Sequence, residues 1–444
     1  MKKLKKIGFK MLILALGIVI ISITLVYKYS TRIYPKIYIE NIKVSNLKIE
    51  EAKEKLHHEF EKNISNKKIE IRVEDKLFKT SYEELGVKFD TQRAIEDAIN
   101  IGEKENFIKK LYMILFPKKI NIEINLTYNN EAVDGVIYYI EGDVNIKPIE
   151  SKMTLESNGS FTITDEENGV RINNESLKSQ LEKSINKNIN EEIIRIQCEL
   201  EQWIPEKRKQ NLSKINGVIC SFSTSLQNSS EQRRTNIKLA TKAVDSYVVM
   251  PNEIFSFNDV VGVRTESKGY KRAHVILGNQ YVDDVGGGIC QVSSTLYNAI
   301  LKTDIEVIER KPHSKKINYV PLGQDATVNY GAIDFKFKNT LEVPIYIRGQ
   351  VQDNYVGFQI YSDTSINLKR YQIESEIEEI LKPKDTIKYS RAISKGQRLV
   401  EKEGKIGYVV NTYRVLYKDG KMIEKKIVAK DIYKAVNNIV IVGI

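Results

Sequence analysis

The chain has 444 residues, 41% of them hydrophobic and 29% charged, and a formal net charge of +11. That length exceeds one ordinary core and sets an expectation of roughly three domains, while the apolar content excludes a disordered or low-complexity protein. Three cysteines are too few for a disulfide-rich scaffold, and no CxxC or HExxH spacing occurs, so neither a metal nor a cofactor is expected.

Residues 1–10 are basic, with Lys2, Lys3, Lys5, Lys6 and Lys10, and the uncharged run MLILALGIVIISITLVY follows from Met11 to Tyr27. At a helical rise of ~1.5 Å per residue the run is long enough to cross a bilayer, and the flanking lysines predict an N-terminus inside and the remainder exported. No small-x-small cleavage pattern follows the run. Residues 11–29 are therefore expected to be an uncleaved transmembrane anchor rather than a cleaved signal peptide or a buried core helix. No nucleic-acid-binding motif is present, and export separates the chain from nucleic acid. The basic balance suits an anionic wall polymer or lipid headgroups, or simply reflects a lysine-rich composition.

The segment NLKIEEAKEKLHHEF places Leu47, Ile49, Ala52, Leu56 and Phe60 at helical spacing, which predicts an amphipathic helix with His57 and His58 on its solvated side. Two later segments, KLFKTSYEELGVKFDTQRAIEDAI and GSFTITDEENGVRINNESLKSQL, align without a gap, Gly86 matching Gly169 and Asp90 matching Asn173. The shared pattern is a strand, a turn closed by glycine, a short strand, and a helix capped by Asp90 or Asn173. Each such α+β unit is too small to bury much alone, so two are expected to pack together. YEELGVKFD with its echo ENGVRIN resembles the YoaR-like peptidoglycan-binding domain, here residues 38–204. The resemblance implies association with the cell wall without naming contact residues. The polar WIPEKRKQNLSKI, from Trp203 to Ile215, is read as a domain boundary.

Residues 212–352 resemble a VanW domain through FSTSLQNSSEQRRTNIKLA, MPNEIFSFNDVVGVRT, VGGGICQVSSTLYNA, ERKPHSKKINYVPLGQDATVNYG and DFKFKN. The resemblance implies a link to glycopeptide resistance but no settled activity. The chemistry rests on Cys290. Val292, Leu296, Ala299 and Ile300 make an apolar stripe, and Cys290 lies off it with Ser293, Ser294 and Tyr297 on a face expected to be polar. A cysteine in a first helical turn feels the positive end of the helix dipole, which lowers its pKa and favours the nucleophilic thiolate. His313 follows as candidate base and Asp325 or Asn329 as its orienter, an order shared with papain-like and NlpC-type cysteine hydrolases. Gly287, Gly288, Gln291, Ser294 and Arg233 are candidate substrate-binding residues, the glycines through their amides. Arg233, Arg234 and Arg264 are candidates for holding carboxylates of a peptide stem. His274 is a weaker candidate. The competing reading makes Cys290 a small buried residue where chains pack closely, with His313 structural. Cys198 and Cys220 are left able to pair or to stay free.

From residue 371 to 444 apolar and polar residues alternate, and Asp419-Gly420 signals a tight hairpin. Gly396, Gly404, Gly407, Gly420 and Gly443 give this segment its resemblance to a G-five domain, which implies a thin β-ribbon used as spacer or carbohydrate binder. Most of those glycines are expected to serve turns.

The fold class expected is therefore α+β and multidomain, with an N-terminal transmembrane helix, tandem small α+β units, an α+β VanW domain and a C-terminal β-ribbon. Three functions compete: association with peptidoglycan or another wall polymer, a cysteine-dependent hydrolase or transferase acting on wall peptides, and a non-catalytic spacer or assembly partner.

Overall fold

The computed structural model describes residues 2–64, 66–187, 191–277, 280–366 and 369–444. The chain forms two compact units, one of residues 1–148 with 168–204 and one of residues 149–167 with 205–444.

The first unit begins with the helix Lys2–Lys28, whose segment Lys6–Lys28 is apolar and long enough to cross a membrane and is not buried. Its last turns, at Leu25 and Val26, pack on the unit's core. The amphipathic helix Ile49–Ile64 buries Ala52, Leu56 and Phe60, the apolar positions set by its spacing. A small sheet pairs Lys68–Val73 with Ile193–Cys198 in parallel and with Lys76–Ser81 antiparallel. Two helices start where the repeat places them. The Asp90 carboxylate accepts from Arg93 N–H at 3.1 Å to cap Thr91–Asn100, and Asn173 Oδ1 accepts from Ser176 N–H at 2.9 Å at the start of Asn174–Lys187.

Elsewhere the repeat diverges. Gly86 closes a turn at φ +62°, but Gly169 lies in the strand Gly169–Ile172, where an added Cβ would sit 2.1 Å from the Ile146 carbonyl oxygen. Its glycine is required by a close approach of backbones, not by a turn. The strand Phe161–Ile163, which opens the second repeat, pairs with Met153–Leu155 and belongs to the second unit. The two repeat copies are therefore not a symmetric pair.

The second unit is built on an antiparallel sheet in the order Gly217–Ser225, Tyr355–Ser362, Ile345–Gln352, Tyr247–Val249. The helix Glu231–Val244 packs on Ile345–Gln352, and the helix Ile289–Leu301 packs on Gly217–Ser225 and Tyr355–Ser362. A second small sheet, Ile254–Ser256, Lys336–Lys338 and Glu306–Glu309, adds the stacked pair Phe255 and Phe337, with ring centroids 4.8 Å apart. The helix Ile289–Leu301 runs through the middle of this core, and of its 13 residues all but Cys290 are buried. Its expected polar face is thus not solvated. Ser293, Ser294 and Asn298 instead meet the chain at residues 324–326.

The terminal segment forms two three-stranded sheets. In one, Gly407–Lys418 pairs antiparallel with Tyr371–Leu381 and Lys421–Tyr433; in the other, Asn438–Gly443 pairs parallel with Asp385–Ser390 and antiparallel with Arg398–Lys402. Asp419 and Gly420, at φ +51° and +74°, make the tight turn that their types predict. Gly404, Gly407 and Gly443 are not turn glycines. An added Cβ at each would lie 2.2, 2.3 and 2.0 Å from a backbone carbonyl oxygen, so they admit close chain contact. The first sheet is seated on the preceding domain, with Ile373 and Val428 against the core that contains Ile289–Leu301.

Candidate functional site

Cys290 sits in the first turn of the helix Ile289–Leu301 because the residues before it suit a sharp entry. Gly288, the N-cap, has φ +111°, a conformation that L side chains rarely adopt, and it leaves the helix start without a side-chain cap. Gly287 lies against the hairpin strand Arg272–Leu277, where an added Cβ would be 2.7 Å from the Ala273 carbonyl oxygen. The fully buried Asn236 locks the same corner, donating to the Lys271 and Gly287 carbonyls at 2.9 and 3.0 Å and accepting from Lys271 N–H at 2.7 Å. Cys290 is the one partly exposed residue of the helix, with Sγ 3.6 Å from the Val328 carbonyl oxygen.

The buried polar residues of the helix explain how a distant loop reaches the thiol. Ser293 donates to the Ala326 carbonyl at 2.7 Å, Ala326 N–H donates to Ser294 at 2.9 Å, and Asn298 donates to the Gln324 carbonyl at 2.6 Å. Asp325, between these anchored residues, is fully buried. Its Oδ2 accepts from His313 twice, from the backbone N–H at 2.6 Å and from Nδ1 at 2.5 Å. With Nδ1 so engaged, Nε2 is the ring nitrogen left for Cys290, which lies close enough for each group to shift the other's titration.

The electrostatics follow from these contacts. Burial alone would push the Cys290 thiol up, but the hydrogen bond and positive charge of His313 outweigh it and leave the thiol below its ordinary value. Burial alone would likewise push His313 down, yet its hydrogen bonds to Asp325 and Cys290 raise it to about 9. Asp325 is pushed up by burial and brought below the usual carboxylate range by His313, with Arg310 and Tyr433 adding to it. The thiol of Cys290 is thus lowered and the imidazole of His313 raised beside a buried carboxylate, and their protons belong to the pair.

Asp325 has a second set of partners, from the terminal sheet. The Tyr433 hydroxyl donates to Asp325 Oδ1 at 2.5 Å and accepts from Gly323 N–H at 2.6 Å. Arg310 lies 3.3 Å from the same Oδ1 and grips both oxygens of Asp431 at 2.6 Å, with all three side chains nearly excluded from solvent. Thr412 donates to the Gly323 carbonyl at 3.2 Å, and Arg414 donates to the Leu301 and Ile305 carbonyls at 2.7 and 3.0 Å. Strands 407–418 and 421–433 therefore close the back of the Asp325 pocket.

The remaining expected site residues fall into two groups. Gln291 is buried, accepting from Arg233 at 2.9 Å and donating to Thr224 and the Ser225 carbonyl at 3.1 and 2.8 Å. Ser294 is also buried, donating to the Cys290 carbonyl at 2.6 Å as well as holding Ala326. Gln291 and Ser294 thus spend these polar atoms on the protein and position the helix start, while Arg233 is half-buried and gives one terminal nitrogen to Gln291. Arg234 is likewise occupied, by the Leu226 and Ser229 carbonyls and Asn354. Arg264 differs. It is half-buried, close enough to Cys290 to share its charge, over the rings of Phe257 and Tyr330, and bound to Asn258 at 2.8 Å through one terminal nitrogen. Asn329 is exposed and does not replace Asp325. The side chain of His274 lies outside the described part of the structure. Cys198 and Cys220 are free thiols that burial pushes up, and among the described residues no group of three or more His, Cys, Asp or Glu is placed to hold a metal ion.

Sequence reasoning passed over Tyr319, whose ring stands edge-on to His313 at 6.4 Å. Burial keeps that phenol neutral, well above its ordinary pKa. It also passed over Arg310, Asp431 and Tyr433. The apolar-polar alternation of the terminal strands was the signal at hand, and it does not distinguish a tyrosine that packs from one that bonds a carboxylate.

Comparison with known proteins matches three families in order along the chain. Residues 78–193 match a family described as "Putative peptidoglycan binding domain", residues 232–361 one described as VanW like protein, and residues 372–444 the G5 domain. Among curated proteins, the chain is 44% identical over 152 residues to the uncharacterized protein YoaR of Bacillus subtilis (strain 168), covering 34% of this chain and 50% of that protein. It is 30% identical over 138 residues to the vancomycin B-type resistance protein VanW of Enterococcus faecalis (strain ATCC 700802 / V583), covering 30% of this chain and 50% of that one. The chain thus spans about half the length of the curated relatives it matches. Two solved G5 structures align with 17% of the chain: HP0197-G5, at 25% identity, 99% coverage of that structure and a TM-score of 0.13, and the IgA1 protease G5 domain, at 24%, 87% and 0.14.

Proposed function

Because this chain carries a VanW domain preceded by a domain of the peptidoglycan-binding family and followed by a G5 domain, we propose that it works at the cell envelope as a cysteine-dependent acyl transferase or hydrolase on wall peptides. The observation that carries this reading is the bond of His313 Nδ1 to the buried Asp325 beside Cys290 at the start of a buried helix, with the thiol lowered and the imidazole raised to about 9 by their mutual influence. A cysteine kept only for packing needs no imidazole partner, and an imidazole kept only for structure needs no thiol. The domain order supports the setting, and the apolar helix Lys6–Lys28 suits a single membrane anchor with the other domains outside.

The proposed chemistry starts from a Cys290 thiolate beside a His313 imidazolium. The Cys290 thiolate attacks a peptide carbonyl carbon, forming a C–S bond as the C=O π pair moves to oxygen. At the helix start the Ile289 and Gln291 amides already donate to the Gly286 and Gly288 carbonyls at 3.2 and 3.0 Å, so the Cys290 N–H is the first-turn amide suited to receive that developing charge. Collapse of the adduct breaks the C–N bond, and the leaving amine takes the proton of His313, so a thioester and a neutral imidazole remain. An incoming amine or water then attacks the thioester, passes its proton to His313, and releases the thiolate. Throughout, Asp325 keeps Nδ1 protonated and the ring oriented. Tyr433 and Arg310 hold Asp325, and Asp431 holds Arg310, so these three are positioning residues contributed in part by the G5 domain.

A second reading, association with peptidoglycan without turnover, is favoured by the family match at residues 78–193. The two separate when the full-length protein and its Cys290→Ala variant are compared for pelleting with insoluble cell wall and for conversion of purified muropeptides. The catalytic reading expects equal pelleting and conversion by the wild type alone. Equal conversion by both, or by neither while both pellet, removes it and leaves association.

A further inference from the structure

The first unit has an apolar surface that neither the Cys290 site nor the N-terminal helix accounts for. The helix Phe107–Leu115 buries only Ile114, while Ile108 is 78% exposed, Tyr112 57%, Leu115 53% and the following Phe116 63%. Positions 108, 112, 115 and 116 recur at helical spacing, so these side chains form one face rather than scattered exposures. Lys104, Lys109, Lys118 and Lys119 are exposed beside it. Two of them have local partners, Lys109 with Glu105 at 2.6 Å and Lys119 over the Tyr38 ring at 4.9 Å. Asn106 caps the helix, accepting from Lys109 N–H at 3.0 Å, so it is a formed helix and not a fraying end. Behind it is a cavity of about 250 Å³ lined by Tyr34, Ile101, Met113 and Phe116.

What covers this face is indicated by its neighbour. Phe107–Leu115 packs against the N-terminal helix Lys2–Lys28, whose span Lys6–Lys28 is apolar enough to lie in a bilayer and whose last turns enter the unit's core. The exposed aromatic and aliphatic face is therefore continuous with the helix that would leave the membrane there. Aromatic and aliphatic side chains flanked by lysines suit the headgroup boundary, where apolar groups sit below the phosphates and ammonium groups reach them. We propose that Phe107–Leu115 with Phe116 is a second, interfacial membrane contact, lying in the outer headgroup layer beside the exit of the N-terminal helix. It rests on the reading of that helix as a membrane anchor. Its consequence is that the first unit is held against the lipid surface instead of swinging on a single tether.

The test uses full-length protein, with Trp203→Phe removing the native tryptophan, reconstituted in vesicles of phosphatidylcholine and phosphatidylglycerol with or without bromine on the acyl chains. Ile20→Trp reports the N-terminal helix and Phe116→Trp reports the interfacial face. Loss of emission from both in brominated vesicles, with a blue shift of Phe116→Trp on reconstitution, supports the proposal. Quenching of Ile20→Trp with Phe116→Trp unquenched and unshifted overturns it while the anchor stands. If neither is quenched, the anchor reading fails and takes the proposal with it.

Discussion

Replacing Tyr433 by Phe removes one oxygen atom and tests whether the G5 strands belong to the Cys290 site. That oxygen donates to Asp325 Oδ1 at 2.5 Å and accepts from Gly323 N–H at 2.6 Å, and Tyr433 is buried. A hydrogen bond to a charged group contributes ~1.5–3 kcal/mol, and a buried donor left without a partner costs ~1–3 kcal/mol. A loss of about 3 kcal/mol follows, since the ring itself is kept. With a urea dependence of about 3 kcal/mol per molar, the unfolding midpoint should fall by about 1 M. The same change alters the chemistry in a direction that packing would not. With one donor fewer, Asp325 holds the His313 proton more tightly, so the alkaline limb of muropeptide conversion, set by an imidazole near about 9, moves to higher pH. Urea titration and a pH–rate profile of the variant are the assays. Unchanged stability together with an unchanged alkaline limb would refute the assignment of Tyr433 to the site.

Three further outcomes are expected. His313→Ala should return the Cys290 thiol towards or above its ordinary value, slowing its alkylation near neutral pH, while Cys198 and Cys220, pushed up by burial, stay slow in both proteins; peptide mapping after timed iodoacetamide treatment measures all three. Stability should depend on pH with a defined sign. His313 is raised from 6.5 to about 9, so its contribution is complete below about 6.5 and is lost as pH rises through about 9; Asp325 is depressed, so its contribution is present above the ordinary carboxylate range and is lost as pH falls through its lowered value. Thermal unfolding across that range should show both limbs, and the Cys290→Ser/His313→Gln double variant should lack the alkaline one. Gly323→Ala should destabilise by about 3 kcal/mol, because the backbone is at φ +83° and the new Cβ would fall 2.0 Å from Thr412 Oγ1. Adding Thr412→Ser leaves that oxygen in place and should rescue nothing, whereas Thr412→Gly should rescue part, both read by urea titration.

The parts legible in the sequence were those with local causes. Asp90 and Asn173 cap the helices that follow them, Asp419-Gly420 makes its turn, and the Leu56 face of Ile49–Ile64 is buried, each fixed by chemistry within a few residues. The order of cysteine, histidine and aspartate also pointed to residues that the fold does bring together. What sequence could not convey was the work of the helix Ile289–Leu301 on its polar side. Ser293 and Ser294 read as part of a polar face, yet they are buried and, with Asn298, bond the backbone that carries Asp325. Gln291 and Arg233 were candidate ligands and turned out to bond each other. The role of Tyr433 and Asp431 depended on a contact with Asp325 and Arg310 more than a hundred residues away in sequence, across a segment whose resemblance implied a spacer or carbohydrate binder. Gly404, Gly407 and Gly443 misled for a related reason, since a glycine chosen for close approach looks in sequence like one chosen for a turn.

The most direct test of the proposed chemistry is intact-protein and peptide mass spectrometry of the full-length protein quenched in acid during incubation with purified muropeptides. A mass increase matching an acylated thiol, located on Cys290 and absent from Cys290→Ala, is the predicted result. Muropeptide conversion by the wild type with no acyl group ever found on Cys290, or an equal adduct yield after His313→Ala, would contradict it.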